Sequence, residues 1–220
     1  MYGGARQLES TQQTDMFLLG DIGDYKEVSD NIAIGVASLV GLDIGLLVSR
    51  FAQVGGYSLN TYFDTFGLEA VVADSCLIMI LFQIARWAYT TFYTSGGRPW
   101  SPFVFVCFLL AAQVVHNLFI YYGILKSIPA GKNEMIDALR RYAGENGSRA
   151  ITGHAALLII ISAIAMIFKE SSVLFIFLIG LVSLYGLIFL LTTVGPKPPP
   201  PPPPPPKKDP FEQKLLDPRF

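Results

Sequence analysis

Residues 173–194 read VLFIFLIGLVSLYGLIFLLTTV, without one Asp, Glu, Lys, Arg or His. A bilayer's hydrocarbon core, about 30 Å thick, is crossed by about 20 apolar residues of helix. This stretch therefore predicts a membrane-spanning helix, and the rest of the chain must be read around it. Upstream, the same ruler finds 151–168, which ends at Lys169-Glu170, and then 101–125, 66–93 and 31–51. The last two carry charges within them. The expectation is an all-α, polytopic membrane bundle of four to five transmembrane helices. Composition agrees: 52% of the 220 residues are hydrophobic and only 15% are charged, outside the range of ordinary soluble domains.

The sequence divides into an acidic segment 1–30, holding six of the 17 acids, a transmembrane bundle 31–194, a proline-rich spacer 195–208 and a terminal peptide 209–220. Formal net charge is −1, so no global basic field invites nucleic acid. Cys76 and Cys107 both sit in apolar runs, which excludes a disulfide framework or a cysteine-rich zinc site. With five spans, most Lys and Arg residues outside the helices, including Lys126, Lys132, Arg140, Arg141 and Arg149, fall on the side of the 126–150 loop and the C-terminal tail. The positive-inside rule then places loop and tail in the cytoplasm. Trp87, Tyr89, Tyr93 and Trp100 gather at the opposite end, as an interfacial aromatic belt would.

Within the first span, Ala33, Ala37, Gly41, Gly45 and Ser49 recur every four residues. Such a stripe lets two helix backbones approach closely. It predicts helix packing through Ala37, Gly41 and Gly45, within the bundle or against a partner helix. Depth counting at about 1.5 Å per residue brings Asp43, Asp74, Gln113, His116 and Asn117 to comparable levels. These five predict one intramembrane polar layer, serving either interhelical hydrogen bonding or a proton or cation pathway.

His116 and His154 differ in depth by roughly 9 Å, a poor fit to the two axial positions of one haem iron. Nucleophile elbow, phosphate-binding loop and zinc-helix motifs are missing from the sequence, so neither an enzyme nor a bound cofactor is expected. The 126–150 loop contains an amphipathic pattern after Pro129 and Gly131. Met135, Ile136, Leu139, Tyr142 and Ala143 lie on one face, with Gly144 as its expected stop. It reads as an interfacial helix.

Pro198 to Pro206 is an unbroken run of prolines, which dictates a polyproline II rod of about 28 Å. Beyond it, Asp209 and Pro210 can start a short helix that Pro218 stops, with Phe211, Leu215 and Leu216 on one face and Phe220 at the end. So short a helix cannot bury that face alone, which makes Phe211, Leu215, Leu216 and Phe220 candidate docking residues for a protein partner.

Gln113-Val114-Val115-His116-Asn117 and the loop string Ile128-Pro129-Ala130-Gly131-Lys132-Asn133-Glu134-Met135-Ile136-Asp137, with Tyr142-Ala143, resemble multi-spanning membrane proteins of giant nucleocytoplasmic large DNA viruses of algae and protists. The resemblance covers roughly 66–190 and carries no catalytic residue. It implies a component of a virion internal membrane beneath an icosahedral capsid. Two functions are then expected: a structural anchor gripping capsid proteins through the tail, or, alternatively, a channel or transporter using the polar layer.

Overall fold

The structure is a computed structural model that describes residues 19–193. Its elements are α1 (Asp30–Ala52), α2 (Gly56–Phe66), α3 (Leu68–Phe92), a 3-10 turn (Thr94–Gly96), α4 (Pro102–Phe119) continued by a π-helical turn (Ile120–Leu125), α5 (Glu134–Asn146), α6 (Ser148–Lys169) and α7 (Val173–Thr192). The described residues contain no strand. Five helices are long and apolar enough to cross a membrane: Asp30–Ala52, Leu68–Gly96, Pro102–Leu125, Ser148–Lys169 and Val173–Thr192. The segment 31–51 is thus one of five such helices.

Local chemistry explains the boundaries. Ser101 Oγ accepts a hydrogen bond from Val104 N at 3.4 Å with Pro102 at the first helical position, and Ser172 Oγ accepts from Phe175 N at 3.3 Å. Asn133 Oδ1 accepts from Ile136 N at 3.0 Å to start α5, with Glu134 and Asp137 in the first turn. Gly144 does not stop α5, which runs on to Asn146 and ends at Gly147. The span expected at 66–93 begins at Leu68, because Gly67 separates it from α2, an element the hydropathy pattern did not single out.

Gly67 and Gly147 adopt the same backbone conformation, φ 51° and ψ −122° against φ 53° and ψ −126°. Positive φ with such a ψ is a conformation only glycine takes readily. Each glycine turns the chain from a short amphipathic helix straight into one long and apolar enough to span a membrane. The amide of Gly67 closes onto Phe63 O and that of Gly147 onto Ala143 O, both at 2.9 Å.

These elbows mark two three-helix units built alike, α1–α2–α3 and α4–α5–α6. Eighty residues apart, Leu59 matches Leu139, Tyr62 matches Tyr142 and Gly67 matches Gly147. The buried positions Ile78, Leu81, Phe82, Ala85 and Arg86 of α3 fall on Leu158, Ile161, Ser162, Ala165 and Met166 of α6, all buried as well. Equivalent positions also do equivalent work. Asn60 Nδ2 donates to Ser49 O at the end of α1, and Arg140 Nη2 donates to Leu125 O at the end of α4's π turn. α1 packs on α6 as α4 packs on α3, α1 meets α3 as α4 meets α6, and α2 meets α5. That pattern is invariant under exchange of the units, as about a two-fold axis along the bundle. α7 falls outside the symmetry and packs on α1.

Candidate functional site

The small-residue stripe of α1 is a packing surface inside the bundle. Ala33 and Ala37 are buried, and a Cβ on Gly41 would lie 2.2 Å from Ile161 Cγ1 of α6. At Gly45 the nearest atoms, from Leu157, would be 3.8 Å away. α7 lies along another face of α1. Gly180 meets Val36, and Gly186 and Ser183 meet Asp43, so the two helices run parallel.

Of the five residues expected to form one polar layer, three are bonded within three different helix pairs. Asp43 accepts a hydrogen bond from the Ser183 hydroxyl of α7 through Oδ2, while its Oδ1 is buried without a partner. Asp74 accepts from Tyr62 Oη of α2 at 3.4 Å. Gln113, buried, donates through Nε2 to Ile151 O of α6 at 3.1 Å. His116 and Asn117 follow on α4, both half-buried, and Nδ1 of His116 is buried without a partner. No hydrogen bond joins any two of Asp43, Asp74 and Gln113. Equal depth does not bring groups together when their helices present them toward different neighbours.

The most extensive polar assembly lies at the end of the bundle where α1 begins, and sequence reasoning missed it. Arg86 on α3 is fully buried. Its Nη1 donates to Asn31 Oδ1 at 2.7 Å and Gln83 Oε1 at 3.4 Å, and its Nη2 donates to the carbonyls of Asp24 and of Glu27, the latter at 2.7 Å. Nη2 also pairs with Asp30 Oδ2 at 3.3 Å, while Asp30 Oδ1 pairs with Lys169 Nζ of α6. Gln83 Nε2 donates in turn to Asn31 Oδ1 at 2.6 Å.

The segment 19–30 is consequently part of the bundle. Ile22 is fully buried, Gly20 N donates to Met166 O at 3.1 Å, Thr90 Oγ1 donates to Gly23 O at 2.9 Å, and Trp100 Nε1 donates to Leu19 O at 3.1 Å. Tyr89, expected in an interfacial belt, is instead fully buried, with its hydroxyl accepting from Ser101 N at 2.9 Å and its ring edge-on to Trp100, Phe105 and Phe108. The signal available in the sequence was the cost of a guanidinium inside a span, which demands local acceptors.

At the other end, α5 latches onto α2. Glu145 accepts from Tyr57 N at 3.0 Å and Ser58 N at 2.8 Å, capping α2 from a distance, and Asn146 Nδ2 donates to Gly55 O at 2.9 Å. Hydrogen bonding to Ser58, and then to the backbone of Tyr57, holds the Glu145 carboxyl below the ordinary carboxylate range. Tyr142 is pushed up by burial and then by the charge of Asp74. Arg50, in the last turn of α1, lies 2.5 Å from Asp64 Oδ1 with its side chain 1% exposed. That contact has ion-pair distance without hydrogen-bond alignment.

Cys76 and Cys107 are both free and exposed. No cluster of three or more His, Cys, Asp or Glu side chains able to hold a metal ion occurs among the described residues. The expected docking residues Phe211, Leu215, Leu216 and Phe220, and the proline run before them, lie outside the described residues. Comparison with known proteins finds no matching family model, no matching curated protein and no matching solved structure.

Proposed function

We propose that this chain is a structural anchor of a virion internal membrane, holding that membrane to the capsid through its proline-rich C-terminal tail. The observation that carries the reading is the succession of α7, which ends at Thr192, and the unbroken prolines from Pro198 to Pro206. By sequence, a helix long and apolar enough to span is followed within a few residues by prolines whose preference is a stiff rod of about 28 Å, and then by a short peptide patterned for an apolar face. Such a rod holds a docking peptide clear of the headgroups and reduces the entropy lost when it is captured.

Two further points support an anchor. Asp43, Asp74 and Gln113 are each bonded within a separate helix pair, as bundle-holding hydrogen bonds are, and the loop string 128–137 resembles virion membrane proteins. In this reading the bilayer and capsid proteins are the partners, nucleic acid is not, and the tail faces the cytoplasm during assembly and the capsid in the particle.

Deleting 209–220 should release the protein from capsid while leaving it membrane-inserted. Undiminished co-purification with capsid after that deletion would refute the tether. The second reading, proton or cation conduction, is favoured by the buried and unpartnered Asp43 Oδ1 and His116 Nδ1.

A further inference from the structure

The two three-helix units differ in one respect that bears on assembly: one of them carries a docked helix and the other does not. α1 seats α7 through Val36 and Asp43, with Val40 partly buried between them. The equivalent face of α4 follows from the burial pattern. Asp30, Ile34 and Ser38 of α1 correspond to Phe105, Leu109 and Gln113 of α4, all six buried, a shift of 75 residues. The same shift carries Val36, Val40, Asp43 and Leu47 onto Ala111, Val115, Leu118 and Tyr122.

Every one of these α4 residues is exposed, with Val115 at 67%, Leu118 at 54% and Tyr122 at 59%. They recur at i, i+4, i+7 and i+11, directly opposite the buried face of α4, and exposed Cys107 continues the line one turn earlier. A 4-3-4 spacing is the seam of a left-handed helix pair. Val at one seam position and Leu at the next is the pairing that favours two parallel strands.

We propose that two copies of the chain pair through this stripe, α4 against α4. The choice of occupant rests on direction. The helix seated on α1 runs parallel to it, so the symmetry-equivalent seat on α4 calls for a parallel helix. A second copy inserted in the same membrane with the same topology supplies one about a two-fold axis along the bilayer normal, and such an interface closes on itself as a dimer. Ala111 gives the small contact that lets the backbones approach, and the larger residues pack toward the π-helical end. The interface lies on α4, away from α7, so dimerisation leaves the α1–α7 contact unchanged.

The test uses full-length protein in its membrane, with Cys76→Ser and Cys107→Ser as background. Single cysteines replace Ala111, Val115, Leu118 or Tyr122 in turn, with Ile80 on α3 and Val182 on α7 as exposed controls. A short bifunctional thiol reagent should give a homodimer band several-fold stronger at the four stripe positions than at the controls. Adding Val115→Trp should reduce the Leu118→Cys band several-fold while the protein remains inserted. Equal bands at all positions, no band at the stripe, or an adduct with a different polypeptide would each overturn the proposal.

Discussion

Asp30 and Arg86 face each other at 3.3 Å with side chains 1% and 0% exposed. Neither charge could be buried there alone. Taking a single ion out of water costs several kcal/mol even after relaxation, and the arrangement offsets this by surrounding the guanidinium with carbonyls and amide oxygens and by giving the carboxylate a second cation, Lys169. One carboxylate thereby ties together the start of α1, the middle of α3's outer half and the end of α6.

Arg86→Met should strip Asp30 of its buried partner and free the Glu27 carbonyl. Loss of one member of a buried pair costs about 3–5 kcal/mol, so thermal unfolding in detergent should move sharply down. Combining it with Asp30→Asn should recover part of the loss, because no buried carboxylate then remains with Lys169 as its sole counterion. An Arg86→Met protein as stable as the parent would show that the ion pair is not needed to hold the segment 19–30.

Gly41 and Gly45 should behave differently although they share a motif. A methyl at Gly41 would sit 2.2 Å from Ile161 Cγ1, whereas at Gly45 it would find ordinary contact at 3.8 Å. Gly41→Ala should destabilise by about 1–3 kcal/mol, the range for overpacking, and Ile161→Ala in the same protein should relieve part of it. Gly45→Ala should be near neutral. Unfolding curves of the three variants decide the point.

The latch between α5 and α2 should open in acid. Glu145 has its folded-state affinity for protons lowered relative to an ordinary value of 4.5 by the donors of α2, so its contribution is complete above that value and is lost as pH falls through the lowered one. Protection of the Tyr57 and Ser58 amides, measured relative to intrinsic exchange at each pH, should fall over that acidic window. Glu145→Gln should remove the pH dependence and cost about 1 kcal/mol, as loss of a helix cap does. Protection factors at both amides that do not change with pH would sink the latch.

Asp43 separates the two functional readings. If the protein is an anchor, Asp43→Asn leaves assembly intact, since an amide can keep the bond to Ser183, and liposomes carrying the parent protein show no proton flux above empty ones. Flux in the parent that disappears in Asp43→Asn or His116→Gln would replace the anchor reading with conduction.

Length and hydropathy were enough to recognise five candidate spans, because the cost of exposing backbone to lipid leaves few choices for runs such as 173–194. The amphipathic helix α5 was legible from its apolar face and from the acids of its first turn, although it stops at Gly147 and not at Gly144. α2 was not, since Gly56–Phe66 mixes polar and aromatic residues and is fixed by contacts with Glu145, Asn146 and Ser49 from elsewhere in the chain. The polar layer misled because depth constrains only one coordinate, and the direction in which Asp43 or Asp74 points depends on helix rotation and on neighbours. Arg86 was visible as an anomaly, yet its acceptors Asp24 and Glu27 precede the first span, in a stretch that reads as a polar lead-in, and Asn31 stands in the first turn of that span. The duplication hides behind few identities, Leu59, Tyr62 and Gly67 among them, because apolar residues interchange freely at its other positions.

The bond between Asp30 and Lys169 joins residues 139 apart in sequence. At roughly 5–20 residues per second, a ribosome needs about 7 to 28 seconds between making one and making the other. During that time α1 has neither α6 nor α7 to pack against, and the Asp30 carboxylate lacks one of its two counterions. The first of the described helices therefore waits for the last two before it is enclosed. Through that interval Gly41 lacks Ile161 and Asp43 lacks Ser183, so closure of the bundle waits on the last part of the described chain.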